Sequence, residues 1–167
     1  MRTGATTKIE WTDKTWNPIT GCSKLSSGCV HCYAETMSRR LKAMGLDKYR
    51  NGFDVTLHPE DLEMPLRWKK GHNIFVCSMS DLFHKDVPFE FVDKVIDVIQ
   101  RTPQHRYQLL TKRVERMAEY FSQHVVPVNV WLGVTVECQI SRYRIDLLKQ
   151  VDASIRFLSC EPLLEDL

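Results

Sequence analysis

Three of the six cysteines, Cys22, Cys29 and Cys32, lie within eleven consecutive positions, with the spacing Cys-x6-Cys-x2-Cys. Gly21 and Gly28 in the same stretch allow the backbone to fold tightly around a centre. Clustered thiolates are the ligands that zinc ions and iron–sulfur clusters take in proteins. Three thiolates are one fewer than a closed zinc site or a fully ligated four-iron cluster needs. The stretch therefore predicts a metal centre whose fourth position is open or filled from elsewhere.

The fourth position separates two kinds of centre. For zinc, His31 or one of the distant cysteines Cys77, Cys138 and Cys160 could complete a tetrahedron. For a four-iron cluster, three cysteines leave one iron able to hold an exchangeable ligand, which is what a cluster needs to do chemistry. The three distant cysteines lie in or beside apolar strands, so we expect them to be buried by packing.

The composition is that of an ordinary globular chain of 167 residues, with 43% hydrophobic and 26% charged residues. This length predicts one domain over residues 1–167. A net charge of +2 is too small to indicate a nucleic-acid partner by itself. No apolar run reaches membrane-spanning length, and the first residues lack a signal-peptide pattern. We therefore expect a cytoplasmic protein, in which clustered cysteines bind a metal or act in redox chemistry rather than form disulfides.

The cysteine loop, residues 17–33, follows a short predicted strand over 8–16 and leads into a helix that Gly45 ends. Strands and helices then alternate, which predicts an α/β fold with parallel strands. The later predicted strands cover residues 74–79, 107–111, 128–136 and 155–159. A partial (β/α) barrel or a doubly wound sheet fits this order. Because a barrel usually needs more strands, we expect a form truncated at the C-terminus.

Polar residues follow the apolar part of each of these strands. Parallel α/β folds bind ligands at the carboxyl ends of their strands, and the cysteine loop would open on the same face. Thr111, Lys112 and Arg113 end one strand. The candidate binding residues at the other strand ends are Ser78, Ser80, Asp81, Thr135, Glu137, Ser159 and Glu161.

A three-cysteine loop after the first strand of a (β/α) barrel resembles the radical S-adenosylmethionine enzymes. Their usual spacing is Cys-x3-Cys-x2-Cys, with an aromatic residue before the last cysteine. In this chain the first gap is six residues, and His31 stands in place of the aromatic residue before Cys32. Over nearly its whole length the chain resembles a phage and bacterial family of unknown function, whose members usually continue into a further strand. That resemblance lies at Trp16–Cys22, Cys29–Glu35, Ser80–His84, Leu110–Arg113 and Ser159–Leu163.

The resemblance implies that Cys22, Cys29 and Cys32 bind three irons of a [4Fe–4S] cluster, while S-adenosylmethionine chelates the fourth. An electron donor would reduce the cluster, and a 5′-deoxyadenosyl radical would then abstract hydrogen from a substrate. The substrate stays open, with nucleic acid suggested by analogy to other radical enzymes. The resemblance implies an ammonium contact at Ser78, Ser80 and Asp81, ribose or carboxylate contacts at Thr135, Glu137, Ser159 and Glu161, and a carboxylate or phosphate contact at Lys112 and Arg113.

Two other interpretations stay open. The first is a zinc-stabilised module that binds nucleic acid or a partner protein and catalyses nothing. The second is that this chain is inactive and only a longer form works. The radical interpretation requires the polar strand ends to converge on the cysteine loop, whereas the zinc interpretation requires a fourth protein ligand within bonding distance. For His84 we expect a hydrogen-bonding role in the loop that leads to Pro88.

Overall fold

Five parallel strands form one sheet in the computed structural model of the chain, which describes Thr7 and residues 9–167. In chain order the strands are β1 (Lys14–Trp16), β2 (Ile19–Thr20), β3 (Thr56–Leu57), β4 (Asn73–Val76), β5 (Arg106–Thr111), β6 (Val130–Thr135) and β7 (Ile155–Ser159). The sheet order is β1-β4-β5-β6-β7, and β2 pairs with β3 in a separate antiparallel pair. This confirms the predicted α/β fold, a partial (β/α) barrel. Lys8, in the predicted first strand, lies outside the described residues.

Helices connect successive strands of the sheet. They are α1 (Tyr33–Ala43), α2 (Phe89–Arg101), α3 (Val114–Phe121) and α4 (Tyr143–Gln150). Short 3-10 turns occupy Ser27–Cys29, Asp47–Tyr49, Pro59–Asp61, Met64–Arg67 and Gln139–Arg142. Among the described residues, no helix has both the length and the apolar character that crossing a membrane requires.

The core lies between the helices and the sheet. Helix α2 buries Phe91, Val92, Val95, Ile96 and Ile99, whose spacing places them along one side of a helix. Strands β5 and β6 are buried along most of their length, as expected for central parallel strands.

Strand β4 ends at Val76, three residues before the end of the predicted strand over 74–79. The cause is Cys77, whose φ of 59° lies in the left-handed region that residues with a side chain rarely adopt. The chain leaves the ladder there and turns. Ser80 then pairs with Gly21 in an isolated parallel bridge, which brings the end of β4 to the start of the cysteine loop.

Helix α1 buries less of its surface than its apolar spacing predicts. Ala34 is buried and Leu41 packs against a small cluster around Tyr49, whereas Met37 and Met44 are exposed. The helix contacts a second, smaller cluster rather than the main core, and that cluster covers only a narrow stripe.

Candidate metal centre and ligand cavity

A cavity of about 380 Å³ opens at the carboxyl ends of the strands beside the cysteine loop. Its wall contains all three clustered cysteines and five of the predicted strand-end residues, which are Ser78, Ser80, Asp81, Thr135 and Glu161. Phe53, Phe75 and Leu110 supply apolar wall between the polar groups. The fold thus brings together residues that are up to 139 positions apart in the chain, from Cys22 to Glu161.

The three cysteines reach the cavity from different parts of the loop. Cys22 directly follows Gly21, which has a φ of 81° and where a Cβ would lie 2.2 Å from the Asp54 carbonyl oxygen. Only glycine fits this close approach of two backbones. Cys29 ends a 3-10 turn, and Cys32 immediately precedes α1. All three thiols are free and half-buried, so they are available to a ligand from the cavity side.

Three free thiols at one cavity wall are a donor set that a four-iron cluster can use. Within Thr7 and residues 9–167, no group of three or more His, Cys, Asp or Glu side chains is close enough to hold one metal ion. A closed zinc site needs four ligands on one ion. In a four-iron cluster each cysteine binds a different iron, so the sulfur atoms surround a larger body. The donor set of three separated thiols facing one cavity fits the cluster.

The other three cysteines differ from one another in burial. Cys77 is buried, as predicted, and it also borders the cavity. Cys138 is half-buried, and its sulfur lies 3.6 Å from the Ser141 hydroxyl. Cys160 is exposed, so the prediction that it packs in the core is wrong. It follows β7, an edge strand paired only with β6 and itself partly exposed along its length.

Asp81 joins the ends of two strands at the wall of the cavity. Its buried carboxylate accepts hydrogen bonds from the Thr111 hydroxyl at 2.7 and 2.9 Å, from the Lys112 amide at 3.2 Å and from the Phe83 amide at 3.0 Å. Buried carboxylates with several donors hold their surroundings in one arrangement. Asp81 therefore positions the residues after β5 relative to those after β4.

Glu137 lies behind the cysteine loop and does not border the cavity. Its carboxylate is fully buried and accepts a close hydrogen bond from the Ser26 hydroxyl. Arg144 donates to it at 2.7 Å, and the Lys112 ammonium lies 3.8 Å away. Burial alone would raise the pKa of the Glu137 carboxyl, but these donors and charges outweigh burial and lower it. Glu137 thus anchors the loop from a position outside the cavity wall.

Gly28 makes room for this arrangement. A Cβ at Gly28 would lie 2.8 Å from the Lys112 nitrogen and 3.2 Å from a Glu137 carboxylate oxygen. A side chain at position 28 would therefore displace the end of the Lys112 side chain and crowd the Glu137 carboxylate. Gly28 therefore lies against two side chains that are more than 80 positions away in the chain.

The thiols of Cys22 and Cys29 differ in acidity. Burial opposes ionisation of Cys29, but backbone hydrogen bonds at Leu25 and Ser26 and the charge of Lys112 lower its pKa overall. Burial and the charge of Asp81 raise the pKa of Cys22, and Arg113 offsets this only in part. Since metal binding requires the thiolate, Cys29 is the readier of the two to give up its proton.

The remaining predicted residues have defined places. The Ser78 hydroxyl exchanges hydrogen bonds with the Asn17 amide at 3.1 and 3.2 Å, and the Ser80 hydroxyl donates to the Gly21 carbonyl at 2.6 Å. Thr135 is buried at the cavity wall. Ser159 pairs with Thr135 in the β6–β7 register but does not border the cavity.

Sequence reasoning missed three contributors to this site. Asn17 belongs to the loop motif, and Tyr33, which follows Cys32, donates to the Ser78 carbonyl across the cavity. Their position beside the cysteines is a signal that could have marked them. Ser26 also lies in the loop, but its partner Glu137 is 111 positions away, so only the structure pairs them. His84 is buried and hydrogen-bonded, which confirms the role predicted for it.

The chain belongs to the family described as a protein of unknown function, DUF5131, whose model matches residues 6–167. This confirms the predicted membership of a family of unknown function. None of the curated proteins is similar enough in sequence to count as a match.

Several solved structures of spore photoproduct lyase share the fold. A cysteine-to-serine mutant of that enzyme gives a TM-score of 0.65 at 13% identity, over 97% of this chain and 49% of that chain. A mutant with bound AdoMet (S-adenosylmethionine) and dinucleoside spore photoproduct gives 0.56 at 13% identity, over 89% of this chain and 44% of that chain. This chain therefore spans about half the length of the solved proteins it resembles. At this identity the likeness shows the fold alone.

Proposed function

We propose that this chain binds a [4Fe–4S] cluster through Cys22, Cys29 and Cys32 and acts as a radical S-adenosylmethionine enzyme. The observation that carries the proposal is the shared cavity, in which three free thiols face the polar carboxyl ends of a parallel sheet. The fold likeness to spore photoproduct lyase supports it, since one of those structures holds AdoMet. When bound, the cluster and S-adenosylmethionine supply a 5′-deoxyadenosyl radical.

Residues of this chain would bind S-adenosylmethionine and shield the radical from water. Lys112, which borders the cavity, is the cation suited to the methionine carboxylate. Ser78, Ser80, Thr135 and Glu161 supply hydroxyl and carboxylate groups at the same wall, for the ammonium and the ribose. These are the contacts that the chemistry of the cofactor requires.

The apolar wall and the two buried carboxylates have separate tasks in this proposal. Phe53, Phe75 and Leu110 exclude water from the space in which a reactive radical would move. Asp81 and Glu137 hold the walls in place, because their oxygens are already engaged by donors within the chain.

For the substrate we propose a nucleic acid or nucleotide. The segment from Cys22 to Arg50 carries six Lys and Arg residues against two Asp and Glu, whereas the whole chain has a net charge of +2. A basic composition in the segment that carries the cysteines suits a phosphate-bearing substrate. The dinucleoside photoproduct held by one spore photoproduct lyase structure is a substrate of this chemical class. A separate protein would serve as the electron donor.

Anaerobic reconstitution with iron and sulfide tests the proposal. We expect a brown protein with about four irons, whose EPR signal in the reduced state changes when S-adenosylmethionine is added. Alanine at Cys22, Cys29 or Cys32 should abolish iron retention, whereas Cys160→Ala, which changes an exposed cysteine outside the cavity, should retain it. A colourless protein holding one zinc would contradict the proposal and favour the binding module.

A further inference from the structure

Arg113 reaches from the end of β5 back to the first cysteine of the loop. Its Nη2 lies 3.9 Å from the Cys22 sulfur, within hydrogen-bonding distance for a sulfur acceptor. The same nitrogen donates to the Ser23 carbonyl at 2.9 Å and to the Ser23 hydroxyl at 3.0 Å. The guanidinium is therefore held against the cysteine by its neighbour in the chain. We refer to Ser23, His84 and Arg113 as the Ser23 network.

His84 fixes the hydroxyl on which Arg113 rests. Its ring is 1% exposed, and its Nδ1 accepts a hydrogen bond from the Asp86 amide at 3.1 Å. In a neutral imidazole the proton then belongs to Nε2, which lies 2.7 Å from the Ser23 hydroxyl and donates to it. The hydroxyl oxygen accepts from both His84 and Arg113, which uses both of its lone pairs. Its position is thus determined from two sides by different elements.

The clustered cysteines differ in this respect. At Cys29 the side-chain neighbour within hydrogen-bonding distance of the sulfur is the neutral Ser26 hydroxyl, at 3.7 Å. At Cys22 it is a guanidinium, which is always charged and is weakly hydrated. Partners of this kind orient a metal ligand, and a positive charge near a cluster sulfur favours the reduced state, which carries one more electron.

We propose that Arg113, held by Ser23 and His84, is a positioning residue that orients the Cys22 sulfur and raises the reduction potential of the cluster. This inference rests on the proposed function, because it concerns a ligand of that cluster. It goes further by assigning the side chains that tune the cluster in this chain. It also gives the Leu110–Arg113 and Ser80–His84 motifs a shared role, since each contributes one member of the Ser23 network.

A redox titration of the reconstituted protein, followed by EPR, tests the inference. Arg113→Met should shift the midpoint potential to a more negative value and alter the EPR signal of the reduced cluster. Arg113→Lys, which keeps the charge without the forked donor, should recover part of the shift. His84→Ala should shift the potential in the same direction by less, because Ser23 and Arg113 remain.

Arg116→Met is the matched control. Arg116 lies on α3 and donates to the Lys85 and Val87 carbonyls at 3.2 and 2.5 Å, so its loss also removes backbone contacts, but none to the loop. We expect its potential to equal that of the wild type. If Arg113→Met retains too little iron to titrate, Arg113→Gln, which keeps a donor but not the charge, replaces it, and an unchanged potential in that variant would overturn the inference.

The results separate this inference from the proposed function. A wild-type protein that takes up no cluster would overturn both. A protein with a cluster whose potential and signal are the same in Arg113→Met would overturn the inference alone. An equal shift in Arg113→Met and Arg116→Met would also overturn it, because the effect would then be general.

Discussion

The two edges of the sheet hold cavities of similar size but different chemistry. The cavity at the carboxyl edge measures about 380 Å³ and the one at the amino edge about 400 Å³. The carboxyl edge contains three free thiols in its wall, and the charged side chains around them contact the loop that carries those thiols. The amino edge contains Asp13, His72, His105, Arg106 and Asn129.

Several polar groups at the amino edge bond to one another or to the backbone, whereas the buried His105 Nδ1 has no hydrogen-bond partner among the described residues. The Asn129 side-chain nitrogen donates to the carbonyls of Ile99, Thr102 and His105, at 3.1, 3.4 and 3.2 Å. The Asp13 carboxylate accepts from the Asn73 amide at 2.7 Å, and Arg106 stacks on Trp131 at 4.8 Å. These contacts close turns and strand ends. They stabilise the fold and present no set of donors to a ligand.

Cavity volume therefore does not distinguish the two edges. What differs is the direction of the polar groups, which point at the backbone on one edge and at a thiol-bearing loop on the other. Parallel α/β folds make the same division, with ligands at the carboxyl ends of the strands and stability at the amino ends. If this division holds here, substitutions at the carboxyl edge should affect iron binding, and substitutions at the amino edge should affect stability alone.

Glu137→Gln should have the largest effect on stability. It removes the charge that the buried Arg144 and the half-buried Lys112 face, and breaking a buried pair in this way costs about 3 kcal/mol of unfolding free energy. Because Ser26 then loses its strongest acceptor, iron retention should fall as well. Urea unfolding and iron analysis measure the two effects. Glu119→Gln, at an exposed position of α3, should change stability by no more than about 0.5 kcal/mol. Wild-type iron content in Glu137→Gln would contradict the role given to this residue.

Asn129→Ala should lower the unfolding free energy by about 2 kcal/mol, since one side chain satisfies three carbonyl oxygens. The same denaturant titration measures this loss. Iron content after reconstitution should remain that of the wild type, because no member of the cysteine loop contacts this edge. Loss of iron together with stability would show that the two edges are not separable.

Lowering the pH should destabilise both edges to a smaller degree. Burial lowers the pKa of His84 at the carboxyl edge and of His105 at the amino edge below the usual value of 6.5. The unfolded chain therefore binds these protons at a higher pH than the folded chain. The stabilisation is complete above pH 6.5 and is lost as the pH falls below it.

Urea unfolding at about pH 7.5 and about pH 5.5 measures this dependence, in a range where carboxylates contribute little. His84→Gln and His105→Gln should each weaken the dependence, and each variant gives the contribution of the histidine that it replaces. Equal stability at both pH values in the wild type would contradict the prediction.

Much of the fold could be predicted from local pattern. Strand β7 has the bounds Ile155–Ser159 expected from its apolar run, and α2 starts directly after Pro88. The prediction was wrong where tertiary contacts override the pattern. Strand β4 stops at Val76 because Cys77 turns the chain, and Cys160 is exposed because an edge strand precedes it.

The candidate site, like the fold, was predicted in part from local pattern. The cysteine spacing and the polar strand ends are local features, and eight of the ten metal-binding and binding residues predicted from them border the cavity. For Glu137 and Ser159 the sequence indicated the strand end correctly but not the direction of the side chain. Alternation along a strand does not extend into the irregular residues after it, so only the packed structure decides which way these side chains point.

Local sequence pattern is enough to predict the order of strands and helices, the membership of the family and the cluster of three thiols. Hydrophobic period and residue spacing act over a few positions, so they can be read without the structure. The tertiary structure decided which charges meet those thiols. Ser26 meets Glu137 across 111 positions, and Arg113 meets Cys22 across 91. Such pairs form only when parallel strands in register bring their carboxyl ends to one edge, and no local pattern encodes that meeting.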